Sequence, residues 1–136
     1  IATLIDILES LGTNLQDFFS QDVPEKLVFT KNDVAVKSDE ELKSEINWLV
    51  PNAQKNYMEP IMVYLEPDGR TPYDDPHDGE EFGYVIRGQI QLYFGSEVVK
   101  VRAGESFHFP AQAGHYIANA GKRPAVVLWV SSPPSF

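Results

Sequence analysis

DPHDGEEFGYVIRG, residues 75–88, sets four carboxylates around one histidine and then changes abruptly into alternating apolar residues. On the residues alone two readings are open. The cluster holds a cation or a polar ligand beside His77, or it is a solvated acidic turn ahead of a buried strand. The surrounding chain bears on which of them holds.

Working outward, the chain from Tyr57 to its end is a succession of short apolar segments: PIMVYLE, FGYVIR, QIQLYF, EVVKVR, SFHF, HYIAN and AVVLWV. Turn residues separate them, at Asp68-Gly69, Gly88, Gly95, Ala103-Gly104, Pro110 to Gly114 and Ala120-Gly121. Strands at such even spacing, with no helical pattern between them, predict an all-β fold, an antiparallel sandwich or barrel. SFHF and VVKVR alternate, as strands with one wet and one dry face do. AVVLWV is apolar on both faces and is expected at the centre of a sheet.

Upstream the pattern is mixed. KLVF and VAV flank Lys31-Asn32-Asp33 as a hairpin would. Ser38 with Glu41 is spaced to cap a helical turn, and INWLV reads as a strand. Residues 1–21, IATLIDILESLGTNLQDFFSQ, have helical spacing, with Leu4, Ile5, Leu8 and Leu11 on one face and Gly12 at a helix end. Asn14 and Asp17 then suit the start of a second, shorter helix carrying Leu15, Phe18 and Phe19. Two short helices cannot bury those faces by themselves, and the chain starts inside the first of them. Helices upstream of Ile1 are therefore expected.

The 136 residues hold 20 Asp and Glu against 11 Lys and Arg, a formal net charge of −9. Such a balance argues against a phosphate-gripping surface built from these residues alone, because that binding requires Lys and Arg to neutralise phosphates. Cysteine is absent. Disulfides, zinc–thiolate sites and cysteine nucleophiles are thereby excluded, and a reducing cytoplasm is compatible. No signal peptide is visible, and the longest apolar run, AVVLWV, is far too short to span a bilayer.

Written as spacing, the chain reads Gly69-x5-Asp75-x-His77-x3-Glu81-x6-Gly88, then Gly104-x5-Pro110-x4-His115-x3-Asn119. These two lines resemble the paired signature motifs of the cupin superfamily, over roughly the last 80 residues. The resemblance implies a double-stranded β-helix, or jelly-roll barrel, over 57–136, with Asp75, His77, Glu81 and His115 as its metal or ligand-binding residues. Asp75 stands where the family carries a first histidine, and Gln112 where it carries a glycine. Chemistry agrees with the assignment, since residues two apart on a strand share a face. Imidazoles and carboxylates suit a borderline divalent metal, such as zinc, iron, manganese or nickel. His108 is expected to be a satisfied structural histidine. Tyr64, Tyr84 and Trp129 are expected in the core.

The front segment is similar to the last two helices of the helix-turn-helix domain of XRE-type regulators, through Leu4, Ile7, Leu8, Leu11, Gly12, Leu15 and Asp17-Phe18-Phe19. Joined to a cupin barrel, it implies an XRE–cupin transcription factor whose DNA-reading helix lies upstream. The expected organisation is 1–21 as the remnant of the helix-turn-helix domain, 22–56 as linker and leading strands, and 57–136 as the barrel. The function implied is non-catalytic sensing of a small-molecule effector by a cytoplasmic homodimer. The competing reading is a metal-dependent cupin enzyme of dioxygenase, isomerase or lyase type, with Asp75 as fourth ligand or base.

Overall fold

The structure, a computed structural model, describes residues 26–136, so the helices expected over 1–21 lie outside the described residues. Alternating burial organises the strands. Along Glu59–Leu65 (β3) the buried residues are Glu59, Ile61, Val63 and Leu65. Along Glu80–Arg87 (β4) they are Glu81, Gly83 and Val85, and along Ala125–Ser132 (β9) Ala125, Val127, Trp129 and Ser131. Every second side chain thus points one way, as the pleat requires.

Two further strands, Ala35–Asp39 (β1) and Ser44–Trp48 (β2), precede β3, and Ser106–Pro110 (β7) follows β4 in space. They form a six-stranded antiparallel sheet in the order β1-β2-β3-β9-β4-β7. Gln89–Phe94 (β5), Glu97–Arg102 (β6) and His115–Ala118 (β8) form a second sheet, ordered β6-β5-β8. Between them lies the core of Ile61, Val63, Leu65 and Val127 against Ile90, Leu92, Val101 and Ile117. Each of the larger side chains contributes about 1.5–3 kcal/mol by leaving water. The seven strands expected from Tyr57 onward are all present, and AVVLWV (β9) sits between β3 and β4, inside the sheet. Among the described residues no helix is long and apolar enough to cross a membrane.

The region before the barrel departs from expectation. Lys31–Asp33 does turn, with the Asp33 N–H donating to the Thr30 carbonyl (3.0 Å), yet KLVF forms no strand to pair across it. The hairpin is β1 with β2, one turn later. Its loop is capped by Asp39, whose Oδ1 accepts the Leu42 N–H at 3.0 Å, and not by Ser38. Lys43 takes a left-handed φ of 52° there, which closes a hairpin instead of starting a helix. β2 then pairs with β3, Trp48 opposite Ile61, and extends the barrel's larger sheet.

Asn119, last residue of the second motif, fastens two loops. Its buried amide donates to the carbonyls of Leu65 (3.1 Å) and Arg123 (2.8 Å) and accepts the Gly121 N–H (2.9 Å). Its type at this spacing is therefore explained by architecture, since an amide alone both donates twice and accepts. Asn119→Ala should lower unfolding free energy by about 3 kcal/mol, read from urea denaturation, because three bonds go and the buried Leu65 carbonyl is orphaned. A loss under 1 kcal/mol would show that water replaces the amide freely.

Candidate metal and ligand site

Glu81 is the second residue of β4, and the inward phase that buries Gly83 and Val85 also buries it completely. His115 opens β8 in the other sheet, facing it. The loop carrying His77 is sewn to the opposite connection: the His77 N–H donates to the Ala111 carbonyl (2.8 Å), and the Ala111 N–H to Gly79 (2.9 Å). Asp74 and His115 exchange both backbone hydrogen bonds as an isolated bridge. Gly79 permits the loop, since φ is +104° and a Cβ would lie 2.2 Å from the Ser132 carbonyl oxygen.

The result is a tight group. His77 Nε2 lies 2.7 Å and His115 Nε2 2.8 Å from the same oxygen, Glu81 Oε2. Both rings spend Nδ1 on a carbonyl, His77 on Asp78 (2.8 Å) and His115 on Ala113 (2.9 Å). A carbonyl accepts only from N–H, so each neutral ring would present its Nε2 lone pair to the carboxylate. Two lone pairs against one anionic oxygen repel unless protons or a cation lie among them. Burial pulls the His115 pKa down, but the Glu81 carboxylate and the Ala113 carbonyl outweigh it and raise it above the ordinary value. Burial raises the Asp74 carboxyl, opposed by the neighbouring histidines.

A cation fits this donor set. Glu81 Oε1 is buried without a partner, and His115 Nε2, though close to Glu81, has no aligned hydrogen bond. His77, Glu81 and His115 therefore form a group that could hold a metal ion, their ligand atoms within 4.8 Å of one another. Metal–nitrogen bonds of about 2.0–2.1 Å in a tetrahedral site would ask each Nε2 to move roughly half an ångström away from Glu81 Oε2. Two imidazoles and one carboxylate match zinc or non-haem iron and leave positions open.

Of the four residues expected at the site, three converge and Asp75 does not. It is exposed, while its neighbour Asp74 places Oδ2 3.7 Å from His115 Nε2. The face-sharing argument presumed a strand, but the segment from Thr71 to Asp78 is a loop interrupted by Pro72 and Pro76, so no two-residue period runs through it. His108 sits on the outer face, 3.1 Å from Glu80 on the next strand, and is exposed. Tyr64 and Tyr84 are also on that outer face, 42% and 41% exposed, contrary to expectation. Only Trp129 of the three aromatics is core. Glu59 was missed: it is buried on the inner face, with Oε1 accepting the Phe136 N–H (2.7 Å) and Oε2 unpaired. Continuing the Ile61–Val63–Leu65 alternation back by one step finds it.

Known proteins share the fold. A family model described as "Cupin domain" matches residues 61–131. The HTH-type transcriptional regulator PuuR of Escherichia coli is 26% identical over 142 residues, spanning 100% of this chain and 74% of that protein. The fold is shared with the Cupin_2 domain of an XRE family transcriptional regulator from Enterobacter cloacae. There the TM-score is 0.61 at 18% identity, over 68% of this chain and 99% of that one. It is shared equally with a predicted oxalate decarboxylase from Thermotoga maritima, at TM-score 0.67 and 17% identity, over 78% and 98% of the two chains.

Proposed function

This chain belongs to the cupin domain family, and we propose that within it the protein is the small-molecule-sensing part of an XRE-type DNA-binding transcriptional regulator. One observation carries the reading. The likeness to a helix-turn-helix regulator runs over the whole chain, including residues 1–25 outside the described barrel. A barrel-only enzyme relative gives no account of that front segment. In this reading residues 1–21 close a DNA-binding domain, 22–56 lead into the barrel, and 57–136 sense a ligand. The acidic balance is then natural, since phosphate contacts belong to the DNA-binding part.

His77, Glu81 and His115 are the proposed contacts for the effector's polar end or for a divalent metal (zinc, iron, manganese or nickel), with Asp74 nearer to them than Asp75. A bound metal would supply a Lewis-acidic anchor for that polar end. The residues' own part is to hold the carboxylate and both Nε2 atoms facing one point, away from bulk water. An effector shifts the regulator only as far as it binds one arrangement better than the other. We further propose a cytoplasmic homodimer. Phe82, Tyr84 and Ile86 stand exposed on the outer face of the larger sheet, beside half-buried Val130, Leu128 and Val126 on β9. Such a row is a partner surface more than a solvated one.

The intact gene product tests the reading. It should sediment as a dimer and retard a two-fold-symmetric DNA fragment from its own promoter region, with retardation altered by a cell extract's small-molecule fraction. An intact product that binds no DNA would overturn the regulator. The histidine–glutamate group keeps the metal-dependent enzyme as the alternative, which turnover by the metal-loaded barrel without DNA binding would establish.

A further inference from the structure

A cavity of about 180 Å³ lies between the β1–β2 hairpin and the barrel, and its lining includes Asp74, whose Oδ2 is 3.7 Å from His115 Nε2. Its bulky wall residues are apolar, Ile46 and Trp48 from β2, Ile61 from β3, Trp129 from β9 and Phe136 from the tail, and Ser44, Thr71 and Ser135 add hydroxyls. Phe136 is held there from two sides. Its N–H is bound by Glu59, and its ring meets Trp129 edge-on, 5.2 Å between centroids. Asp74 is an acidic member of the lining. Lys37 and Asp39 on β1 also border the cavity and carry opposite charges, leaving Asp74 as the unbalanced group.

Size and lining restrict the occupant. Drug-sized ligands occupy pockets of about 300 Å³ or more, larger than this one. An apolar cavity of about 150 Å³ accepts benzene, so this one has room for a six-membered ring and one or two further heavy atoms. An anionic head would meet the Asp74 carboxylate, whereas a hydroxyl can donate to it. A hydroxyl oxygen can accept as well, and the buried Trp129 N–H has no acceptor within the protein.

We propose that this cavity binds a small neutral alcohol with a compact hydrocarbon body, its hydroxyl donating to Asp74. The hydrocarbon is taken up by the aromatic and aliphatic walls, which give affinity. Asp74 gives selectivity, for hydroxyl over plain hydrocarbon and against carboxylate. For what the ligand signals, the inference rests on the sensor reading; the binding itself does not involve DNA.

The chain contains two tryptophans, Trp48 and Trp129, and both line the cavity, so their emission reports on it directly. The 136-residue protein, stripped of metal with EDTA and dialysed, is excited at a wavelength that benzyl alcohol does not absorb and titrated with three probes. Benzyl alcohol should produce a saturable change. Toluene, the same ring without the hydroxyl, should bind about tenfold more weakly, and benzoate not at all. Ile46→Phe, which fills the space, should weaken benzyl alcohol at least tenfold. Asp74→Ala should bring benzyl alcohol and toluene to equal affinity, and it tests the inference even if Ile46→Phe misfolds. A response that does not saturate, benzoate binding as tightly as the alcohol, or an alcohol preference surviving in Asp74→Ala would each overturn the proposal. Because no DNA is present, such a failure removes this ligand and leaves the regulator reading to its own measurement.

Discussion

His115→Ala protein, incubated with zinc, iron(II), manganese or nickel and passed over a desalting column, should retain no stoichiometric metal, while the parent chain retains about one ion of the preferred kind. The affinity lost should exceed about 100-fold, since removing even an outer partner of a metal ligand costs 10–100-fold. The expectation rests on His77, Glu81 and His115 presenting three ligand atoms within 4.8 Å, with buried Glu81 Oε1 and His115 Nε2 otherwise unsatisfied. Glu81→Gln should behave alike, because it preserves the shape and deletes the anionic oxygen that both histidines face. His108→Ala is the control and should change nothing, its ring being on the outer face beside Glu80. Elemental analysis reads all three. Undiminished metal in His115→Ala would show that the ion is held without His115 and would overturn the three-residue site.

The same group fixes a pH dependence whose sign differs between the two states. In the metal-free protein the His115 pKa is raised, chiefly because Glu81 and the Ala113 carbonyl overcome burial. A base whose folded pKa is raised contributes stability that is complete below about pH 6.5 and is lost as pH rises through the folded value. Asp74, raised mainly by burial, acts in the same direction above the ordinary carboxylate range. Metal competes with the proton for Nε2, so its stabilisation grows with pH. Melting temperature without metal should therefore fall from pH 6 to pH 9, and the gap to the loaded protein should widen.

Much of this architecture was legible because burial on a sheet repeats every two residues. β3, β5, β7 and β9 could be read directly, as could the glycine-marked turns. What could not be read was the phase of β4. Phe82, Tyr84 and Ile86 look like its core face, yet Glu81, Gly83 and Val85 are the residues that point inward. When the outward face is itself apolar, pattern alone cannot choose between the phases. The choice is made by tertiary demands: Glu81 reaches the histidines, and Gly83 leaves room for a ring. Asp75 was misplaced for the opposite reason, a period assumed where two prolines permit none. Three of the four residues expected at the site nevertheless converge, and His77 does so from a loop, where motif spacing survives though strand geometry does not.

Gly83→Val should abolish folding or cost at least about 4 kcal/mol, the range reserved for severe core clashes. Gly83 lies in mid-strand between Phe107 on β7 and Trp129 on β9, where a glycine ordinarily weakens a sheet. Here it is needed, because an added Cβ would sit 2.1 Å from Cζ of the Phe107 ring. That ring lies over the glycine, stacks near Phe109 (6.0 Å) and meets Trp129 edge-on (5.7 Å). It cannot withdraw without disturbing the wall behind His115. Gly83→Ala should therefore cost about 3 kcal/mol, and Phe107→Ala about 3–5 kcal/mol through the cavity it leaves. The double variant should lose at least about 1 kcal/mol less than the sum, since the methyl then occupies vacated space. Urea denaturation of the four proteins reads the cycle, and simple additivity would refute the contact. Metal retention should track the same cycle. Glu81 is two residues from Gly83 on the same inward face, so a strand pushed outward at Gly83 withdraws the carboxylate from both histidines, and removing the Phe107 ring lets it return.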